Sequence, residues 1–373
     1  MKGRFKKIVA GVLTASLSIL TLAGCGGSSS SSSKSSDSSD DEAGKELNVM
    51  VWDGFYSDDL FKDFEKETGI HCNVSYITNT DELLAKMLAS KGSPDYDFIE
   101  VESAYVKPFV DNGLLEKLDY SQIPNLSKVD DSFKTVPGDD NQEYTCSEAY
   151  MGYTFIVYNT ETCPLKEITS FQDLADPALK DQIVSVVSTI SLFGEALNSL
   201  GYQPDSTTES EYKEAADLWK KIRSNVKLFS GASCYQAMLD GEASVGFMFD
   251  YAQLEKEAPD PSIYKVAKVK EGYERYSDFW CVPKGASNKK GAEMLMNYLI
   301  SDDAIVAREN SYPSVCGQPD GFAKCDESIR NNPAFNLDQD IYDNTWMVPV
   351  SDDQIDLMDK YLTEFMSAED AGS

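Results

Sequence analysis

The chain is poor in histidine, and its cysteines form no closely spaced pair. Histidine occurs once in 373 residues, at His71. The sequence therefore argues against a histidine-based triad and against a histidine-rich metal cluster. Seven cysteines follow Cys25, and none forms a Cys-x-x-Cys motif, which argues against a zinc ribbon or a disulfide scaffold. The sequence is still compatible with a single disulfide between Cys316 and Cys325. We therefore expect no cofactor and no metal site.

Basic residues are also scarce. The chain has 33 Lys and Arg against 63 Asp and Glu, a net charge of −30. Such a surface repels nucleic acid and anionic lipid, so neither is expected as a partner. Good solubility is the plainest consequence, and we expect a monomer.

The first 24 residues have the layout of a secretory signal. A basic start is followed by an uncharged, mainly apolar stretch over residues 8–23. Leu22-Ala23-Gly24-Cys25 resembles a bacterial lipobox, a signal in which the cysteine is diacylated and becomes the new N-terminus. Two acyl chains are needed for stable anchoring. We therefore expect Cys25 to hold the protein on the outer face of the cell membrane, or on the periplasmic side.

Residues 25–45 are rich in serine and contain no aromatic residue. Such a segment cannot bury enough apolar area to offset its ordering entropy, so it is interpreted as a flexible tether. About 325 residues remain, which is enough for two lobes.

The remaining sequence shows the same α/β pattern twice. Alternating strands at 47–52, 70–76 and 98–101 are separated by amphipathic helices, as in a doubly wound parallel sheet. A second set runs from a strand at 183–187 to a strand at 244–249. Helices are predicted near 289–299, 302–309 and 352–366.

The pattern predicts a two-lobed, periplasmic-binding-protein-like clamp of type II. We assign residues 46–155 and 283–373 to the first lobe with the C-terminal helices, and residues 156–282 to the second lobe. Apolar segments at 153–158 and 279–282 are predicted to cross between the lobes as hinges.

Ligands of open α/β sheets bind beyond the carboxyl ends of the strands. The residues that this rule selects are Trp52, Asp53, Phe55, Glu102, Ser103, Tyr105, Ser188, Thr189, Ser191, Phe249, Asp250, Tyr251, Tyr276, Asp278 and Trp280. They are largely aromatic residues and carboxylates. Aromatic faces attract cations, and a buried ammonium needs a carboxylate partner. The set favours an amine with methylene groups, although each aromatic residue taken alone is equally consistent with core packing.

Several motifs carry a resemblance over residues 46–345. They are Phe64-Glu65-Lys66-Glu67-Thr68-Gly69-Ile70, Ser170-Phe171-Gln172-Asp173-Leu174, Tyr312-Pro313-Ser314 and Ile329-Arg330-Asn331-Asn332-Pro333. In this order and spacing the chain resembles the spermidine/putrescine-binding proteins of polyamine ABC importers.

The resemblance implies a lipid-anchored or periplasmic receptor that docks on ABC permease subunits and is not an enzyme. It places Trp52, Phe55, Ser103, Tyr105, Tyr276, Asp278 and Tyr312 at ligand-contacting positions. Asp278 would bind an ammonium group.

The sequence departs from that family where the second amine end is normally held. Ser188 and Ser191 stand at positions that usually carry acids, and Phe249 stands where a tryptophan is expected. Either Asp53, Glu102 and Asp250 replace the lost acids, or the ligand has fewer positive charges. Serines at a helix N-terminus also suit a carboxylate. An amino-acid-like or other zwitterionic ligand therefore stays open.

Two alternative functions belong to other classes of protein. A secreted enzyme on the same scaffold would depend on carboxylates alone, and turnover of a bound ligand would reveal it. A signalling or adhesion receptor would share the clamp but lack a transporter.

Overall fold

The computed structural model describes residues 43–77, 80–90, 95–230, 233–335 and 337–367. The predicted signal, the lipidation site Cys25 and all of the tether except its last three residues lie outside the described residues. Within the described part, no helix is both long enough and apolar enough to cross a membrane.

Fourteen strands form three sheets in the described residues. In chain order they are β1 Glu46–Trp52, β2 His71–Ile77, β3 Phe98–Glu102, β4 Thr145–Ser147, β5 Tyr150–Tyr153, β6 Phe155–Asn159, β7 Ile183–Ser185, β8 Val226–Phe229, β9 Val245–Met248, β10 Tyr264–Val266, β11 Tyr273–Tyr276, β12 Asp278–Cys281, β13 Val315–Cys316 and β14 Thr345–Trp346.

Thirteen α-helices cover these sheets or connect them, again counted in the described residues. They are α1 Asp58–Thr68, α2 Thr80–Ser90, α3 Val106–Asp111, α4 Thr189–Ser199, α5 Glu209–Arg223, α6 Cys234–Leu239, α7 Tyr251–Glu257, α8 Lys289–Leu299, α9 Asp302–Ser311, α10 Pro319–Phe322, α11 Glu327–Arg330, α12 Gln339–Asp343 and α13 Asp352–Ser367.

Each lobe is built on a five-stranded mixed sheet. The first has the order β2-β1-β3-β12-β4, and the second has the order β10-β6-β9-β7-β8. In the first sheet β1 pairs parallel with β2 and β3, whereas β12 is antiparallel to β3. In the second, β7 is parallel to β8 and β9, whereas β6 is antiparallel to β9. The antiparallel strands belong to the chain segments that pass between the lobes.

Two of the crossings lie on neighbouring strands, β5 and β11. These strands pair antiparallel in a third sheet, flanked by β13 and β14. The segments 153–158 and 279–282, predicted as crossings, instead form β6 of the second sheet and β12 of the first. The prediction is displaced because an apolar run marks a strand inside a sheet. The crossing strand β11 carries the polar residues Glu274 and Arg275 and gives no such run.

The last helix, α13, corrects the predicted lobe assignment. It packs on α5 and α4 of the second lobe rather than on the first lobe. The Phe365 ring stacks on the fully buried Trp219 ring, with centroids 5.5 Å apart at 14°. Burying Phe365 contributes about 1.5–3 kcal/mol. Helices α8 and α9 do pack against the first lobe, where Leu295 and Ile305 join its core.

Most predicted helices and strands form, with local differences at their ends. Ser57 precedes α1 but makes no side-chain cap, whereas Gly69 ends this helix with a left-handed φ of 76°. Leu88, near the end of α2, is 46% exposed. The seven cysteines after Cys25 are all free thiols, so the disulfide considered between Cys316 and Cys325 is absent here.

Candidate functional site

The cleft between the lobes is bounded by the carboxyl ends of β1, β3 and β9 and by β11 and β12, which follow each other in the chain. The run Tyr273–Cys281 is extended except at Ser277. Alternate side chains of an extended chain share one face. Glu274, Tyr276 and Asp278 therefore point to the same side, and they face the cleft.

Asp278 is buried, with the same 3% exposure as Glu274. Its Oδ2 accepts a hydrogen bond from the Tyr150 hydroxyl. Its Oδ1 has no hydrogen-bond partner among the described residues. Burial raises the pKa of Asp278 to about 6, and interactions with Tyr150 and with the Trp52 side chain oppose that shift. Asp278 therefore offers one free buried oxygen beside an indole.

Aromatic rings form the wall around Asp278. Phe55 stacks on Tyr312 with centroids 4.3 Å apart at 20°, and its ring lies 5.9 Å from that of Tyr150. On the second-lobe side, Phe249 meets Tyr276 edge to face at 6.0 Å. Rings in contact at such distances form a continuous apolar wall with negative π faces.

Gly152 makes room for one of these rings. It lies opposite Tyr276 in the β5–β11 pair. A Cβ at Gly152 would lie 2.3 Å from the Tyr276 ring, closer than any van der Waals contact. Only glycine lets the ring lie flat on the crossing strand, so this position determines where Tyr276 enters the cleft.

Asp250 presents a second free carboxylate oxygen from the second lobe. It is 5% exposed, and its Oδ2 accepts from the backbone N–H of Tyr235 at 3.1 Å. Its Oδ1 has no hydrogen-bond partner among the described residues. Burial raises the pKa of Asp250 to about 6. Besides burial, Asp250 and Asp278 both raise the pKa of Tyr312, so the Tyr312 hydroxyl is within electrostatic reach of both carboxylates.

Ser103 and Tyr105 line the cleft through different contacts. The Ser103 Oγ accepts a hydrogen bond from the Ser277 backbone N–H at 3.3 Å. The Tyr105 hydroxyl interacts with Asp81 of the first lobe and with Thr189 of the second. Tyr105 therefore bridges the lobes.

The serines at the start of α4 are already engaged. The Ser188 Oγ accepts from the Ser191 backbone N–H at 3.3 Å. The Ser191 Oγ donates to Glu274 Oε2 at 2.5 Å. These hydroxyls thus cap the helix and bind a protein carboxylate.

Two predicted residues are not brought into the cleft. Asp53 is exposed, and its charge acts on Tyr76, which is itself 44% exposed. Trp280 is fully buried in the first lobe, where its Nε1 donates to the Tyr56 hydroxyl at 3.1 Å. Asp53 follows the strand end as the rule requires, but its side chain points to solvent. Trp280 lies too far along β12.

Behind Trp52 lies a pair of glutamates that the sequence analysis missed, Glu100 and Glu148. The Trp52 backbone N–H donates to Glu100 Oε2 at 2.9 Å. The Tyr56 hydroxyl lies 2.8 Å from Glu148 Oε2 and 3.3 Å from Glu100 Oε1. Burial raises the pKa of both carboxyls, that of Glu148 to about 8. We call them the rear pair, and we expect them to share a proton because the pKa of each carboxyl is raised.

Other missed residues are Tyr150, Glu274 and Arg308. Arg308 is 4% exposed and pairs with Glu309 at 2.8 Å. Its guanidinium also donates to the Glu148 carbonyl and lies 5.5 Å from the Tyr150 ring centroid. The acid–aromatic alternation of Glu274, Tyr276 and Asp278 was the one sequence signal that could have identified Glu274.

The lobes are closed over this site. A cavity of about 30 Å³ remains, lined in part by Tyr150, Phe249, Tyr276 and Tyr312, which is room for about one water molecule. A solute of several carbon atoms can reach Asp278 only when the lobes separate. In the described residues, no cluster of three or more His, Cys, Asp or Glu side chains has a geometry suited to a metal ion.

The family of bacterial extracellular solute-binding proteins matches residues 59–312. The chain belongs to this family. The resemblance seen in the sequence is thereby confirmed, and the coarse function is that of a solute-binding receptor.

Two relatives of this solute-binding protein match 97% and 72% of its length. The spermidine/putrescine-binding periplasmic protein 1 of Haemophilus influenzae is 26% identical over 366 residues, 97% of this chain and 99% of that protein. The spermidine/putrescine-binding periplasmic protein of Salmonella typhimurium is 29% identical over 271 residues, 72% of this chain and 77% of that protein.

Solved structures support the clamp fold. A putative spermidine/putrescine ABC transporter protein from Listeria monocytogenes superposes with a TM-score of 0.80 at 23% identity, covering 87% of this chain and 100% of that one. The Tp0655 lipoprotein of Treponema pallidum gives 0.72 at 21% identity, covering 86% and 99%. The predicted two-lobed fold is confirmed.

Proposed function

We propose that this protein captures a small cationic amine of the putrescine or spermidine kind and delivers it to an ABC importer. The observation that carries the proposal is the free Oδ1 of Asp278, buried beside Trp52 and enclosed by aromatic rings. The names of the relatives point to the same class of ligand.

The chemistry of the cleft favours an ammonium group. A buried carboxylate oxygen without a donor is costly, and a bound N–H donor with a positive charge removes that cost. The flanking rings add cation–π attraction of about 0.5–2 kcal/mol each. The methylene groups of the ligand would lie against Phe55 and Tyr312.

A zwitterionic ligand is less well supported. Its carboxylate would need the start of α4, but Ser191 there already donates to Glu274. A second carboxylate beside Glu274 would be repelled. A wholly cationic ligand meets no such conflict.

Capture is proposed to proceed by hinge closure. The separated lobes expose Asp278 and the ring wall, and the bound amine then favours the closed state by its contacts from both lobes. Asp250 on the second lobe would supply such a contact. We propose no catalytic step: the sole histidine, His71, lies 2.9 Å from Glu65 on an exposed strand, away from the cleft.

The proposed attachment to the membrane rests on the N-terminal segment. Cys25 is proposed to carry the lipid anchor beside the permease, with residues 25–45 as the tether. Membrane fractionation tests this part. Cys25→Ala should move the protein from the membrane to the medium or the periplasm, and unchanged membrane retention would contradict the anchor.

Titration calorimetry tests the ligand class. Putrescine, spermidine and a set of α- and γ-amino acids would each be titrated into the protein. We expect a Kd of about 1 μM or tighter for at least one polyamine. Heat with amino acids alone would favour the zwitterionic alternative, and release of a modified ligand would favour an enzyme.

A further inference from the structure

A second group of carboxylates extends from Asp278 toward the far end of the crossing strand β11. Glu102 of β3 is the direct cross-strand partner of Asp278. Like charges opposite each other destabilise a sheet. Besides burial, Glu274 and then Asp278 raise the pKa of Glu102. Glu102 therefore interacts with both Glu274 and Asp278, an arrangement that a bound cation would stabilise.

Glu274 is held in place for such a role. It is 3% exposed, and its Oε2 accepts from the Thr154 hydroxyl at 2.8 Å and from the Ser191 hydroxyl at 2.5 Å. Burial raises the pKa of Glu274, whereas these two hydroxyls oppose the rise. Hydrogen bonds that favour the ionised form keep a negative charge available here.

An indole completes this end of the cleft. Trp346 pairs with Glu274 in the β11–β14 ladder. Its ring lies against α4 at Gly194, where a Cβ would lie 2.3 Å from the ring. The Trp346 Nε1 is buried without a hydrogen-bond partner among the described residues. Glu274 and Trp346 thus repeat, at this end of the cleft, the arrangement of a carboxylate beside an indole that Asp278 and Trp52 form at the other end.

Asp278 provides the independent sign that a ligand belongs between these ends. It is 97% buried, given its 3% exposure, and its Oδ1 has no hydrogen-bond partner among the described residues. Tyr276 interacts with acids of both ends: besides burial, its pKa is raised by Tyr312, Asp278, Glu274 and Glu102. One aromatic ring is thus near the acids of both ends.

We propose that Glu274 and Glu102, with Trp346 as a wall, form a second ammonium subsite, so that the preferred ligand is a linear triamine. This Glu274 subsite rests on the proposed function. It assigns the binding of the second ammonium group to the crossing strand β11, whereas the family that the sequence resembles usually has acids at the start of α4. Ser191 contributes by donating a hydrogen bond to Glu274, and Ser188 contributes by capping the helix that carries Ser191.

The spacing separates a diamine from a triamine. Four residues of fully extended chain span about 13 Å, which is the upper limit for the separation of the Glu274 and Asp278 Cα atoms, because the run is not extended at Ser277. The two nitrogens of a four-carbon diamine are about 6 Å apart. A diamine held by Asp278 thus leaves the Glu274 subsite unused, while a triamine such as spermidine reaches toward it.

Calorimetry with spermidine and putrescine tests the subsite on Glu274→Gln, with Glu161→Gln as an exposed control on the second lobe. Glutamine keeps an acceptor for Thr154 and Ser191, so the fold is retained. We expect Glu274→Gln to weaken spermidine at least tenfold and putrescine less than threefold. The control should change neither. Glu102→Gln serves as the second variant and should weaken spermidine selectively.

The outcomes are distinguishable. Selective loss of spermidine affinity in either variant supports the subsite. Unchanged spermidine affinity in both variants overturns it, and so does an equal loss for both amines, which would mark a structural role. Wild-type protein that binds neither amine would instead overturn the proposed function, together with this inference.

Discussion

Two groups of buried carboxylates lie near Trp52, and they differ in what surrounds them. On the cleft side, Asp278 and Asp250 each keep one oxygen without a partner among the described residues, and Glu148 of the rear pair does so too. In the rear pair, Glu100 accepts from the Trp52 backbone and both carboxyls contact the Tyr56 hydroxyl. The cleft acids lie beside aromatic rings, whereas the two carboxyls of the rear pair interact with each other.

Burial alone therefore does not identify a binding carboxylate. All four of these groups are almost completely buried, and in all four burial raises the pKa. The distinction lies in the surroundings: Asp278 and Asp250 lie beside aromatic rings, whereas Glu100 and Glu148 lie against the Tyr56 hydroxyl and against each other. Four experiments test this distinction.

The largest effect is expected from removing the charge of Asp278. Asp278→Asn should weaken polyamine binding about 100-fold, or about 3 kcal/mol, because a buried ammonium loses its counter-charge. Glu148→Gln is the matched variant of the rear pair and should change affinity less than threefold. Calorimetry measures both. Equal losses would remove the distinction between the two groups.

Binding should also depend on pH. In the free protein the pKa of Asp278 is about 6, and a bound ammonium lowers it, so protons are released on binding. Affinity should rise about tenfold between pH 5 and pH 7. Titrations in buffers of different ionisation enthalpy count the protons released. If the dependence persists in Asp278→Asn, it originates elsewhere, with Asp250 as the next group to test.

The rear pair should act on stability instead. Burial raises the pKa of Glu148 to about 8 from its ordinary 4.5. The folded state then binds more protons than the unfolded state between these values, so the free energy of unfolding falls as pH rises through this window. Glu148→Gln removes this penalty. We expect it to stabilise the protein by about 1 kcal/mol at pH 8.5, with no gain at pH 4.

Thermal unfolding at the two pH values provides the check. A gain of a few degrees confined to the higher pH agrees with a shared proton. An equal change at both values would mean that the substitution alters packing rather than protonation.

The smallest effect is expected at Ser191. Ser191→Ala removes a donor to Glu274 and should weaken spermidine about threefold, or about 0.7 kcal/mol. Ser199→Ala is a control on the same helix, because its hydroxyl contacts only the Ala196 carbonyl at 2.8 Å. Identical affinities for the two variants would show that Glu274 needs no support from α4.

Much of this site was accessible from the sequence. The strand-end rule selected Trp52, Tyr276 and Asp278, and the structure brings them together. It failed for Asp53, whose side chain turns to solvent, and for Trp280, which lies inside the first lobe. The rule locates the end of a strand but not the direction of a side chain beyond it.

The α/β pattern, the family and the chemical character of the cleft can be inferred from the amino-acid order alone, because these depend on local periodicity and on which residue types follow a strand. Which carboxylates meet depends on the three-dimensional fold. Tyr150 and Asp278 are 128 residues apart, and Ser191 and Glu274 are 83 apart. Such pairs depend on how β5 and β11 cross between the lobes, and no local pattern specifies the register of strands so distant in the chain.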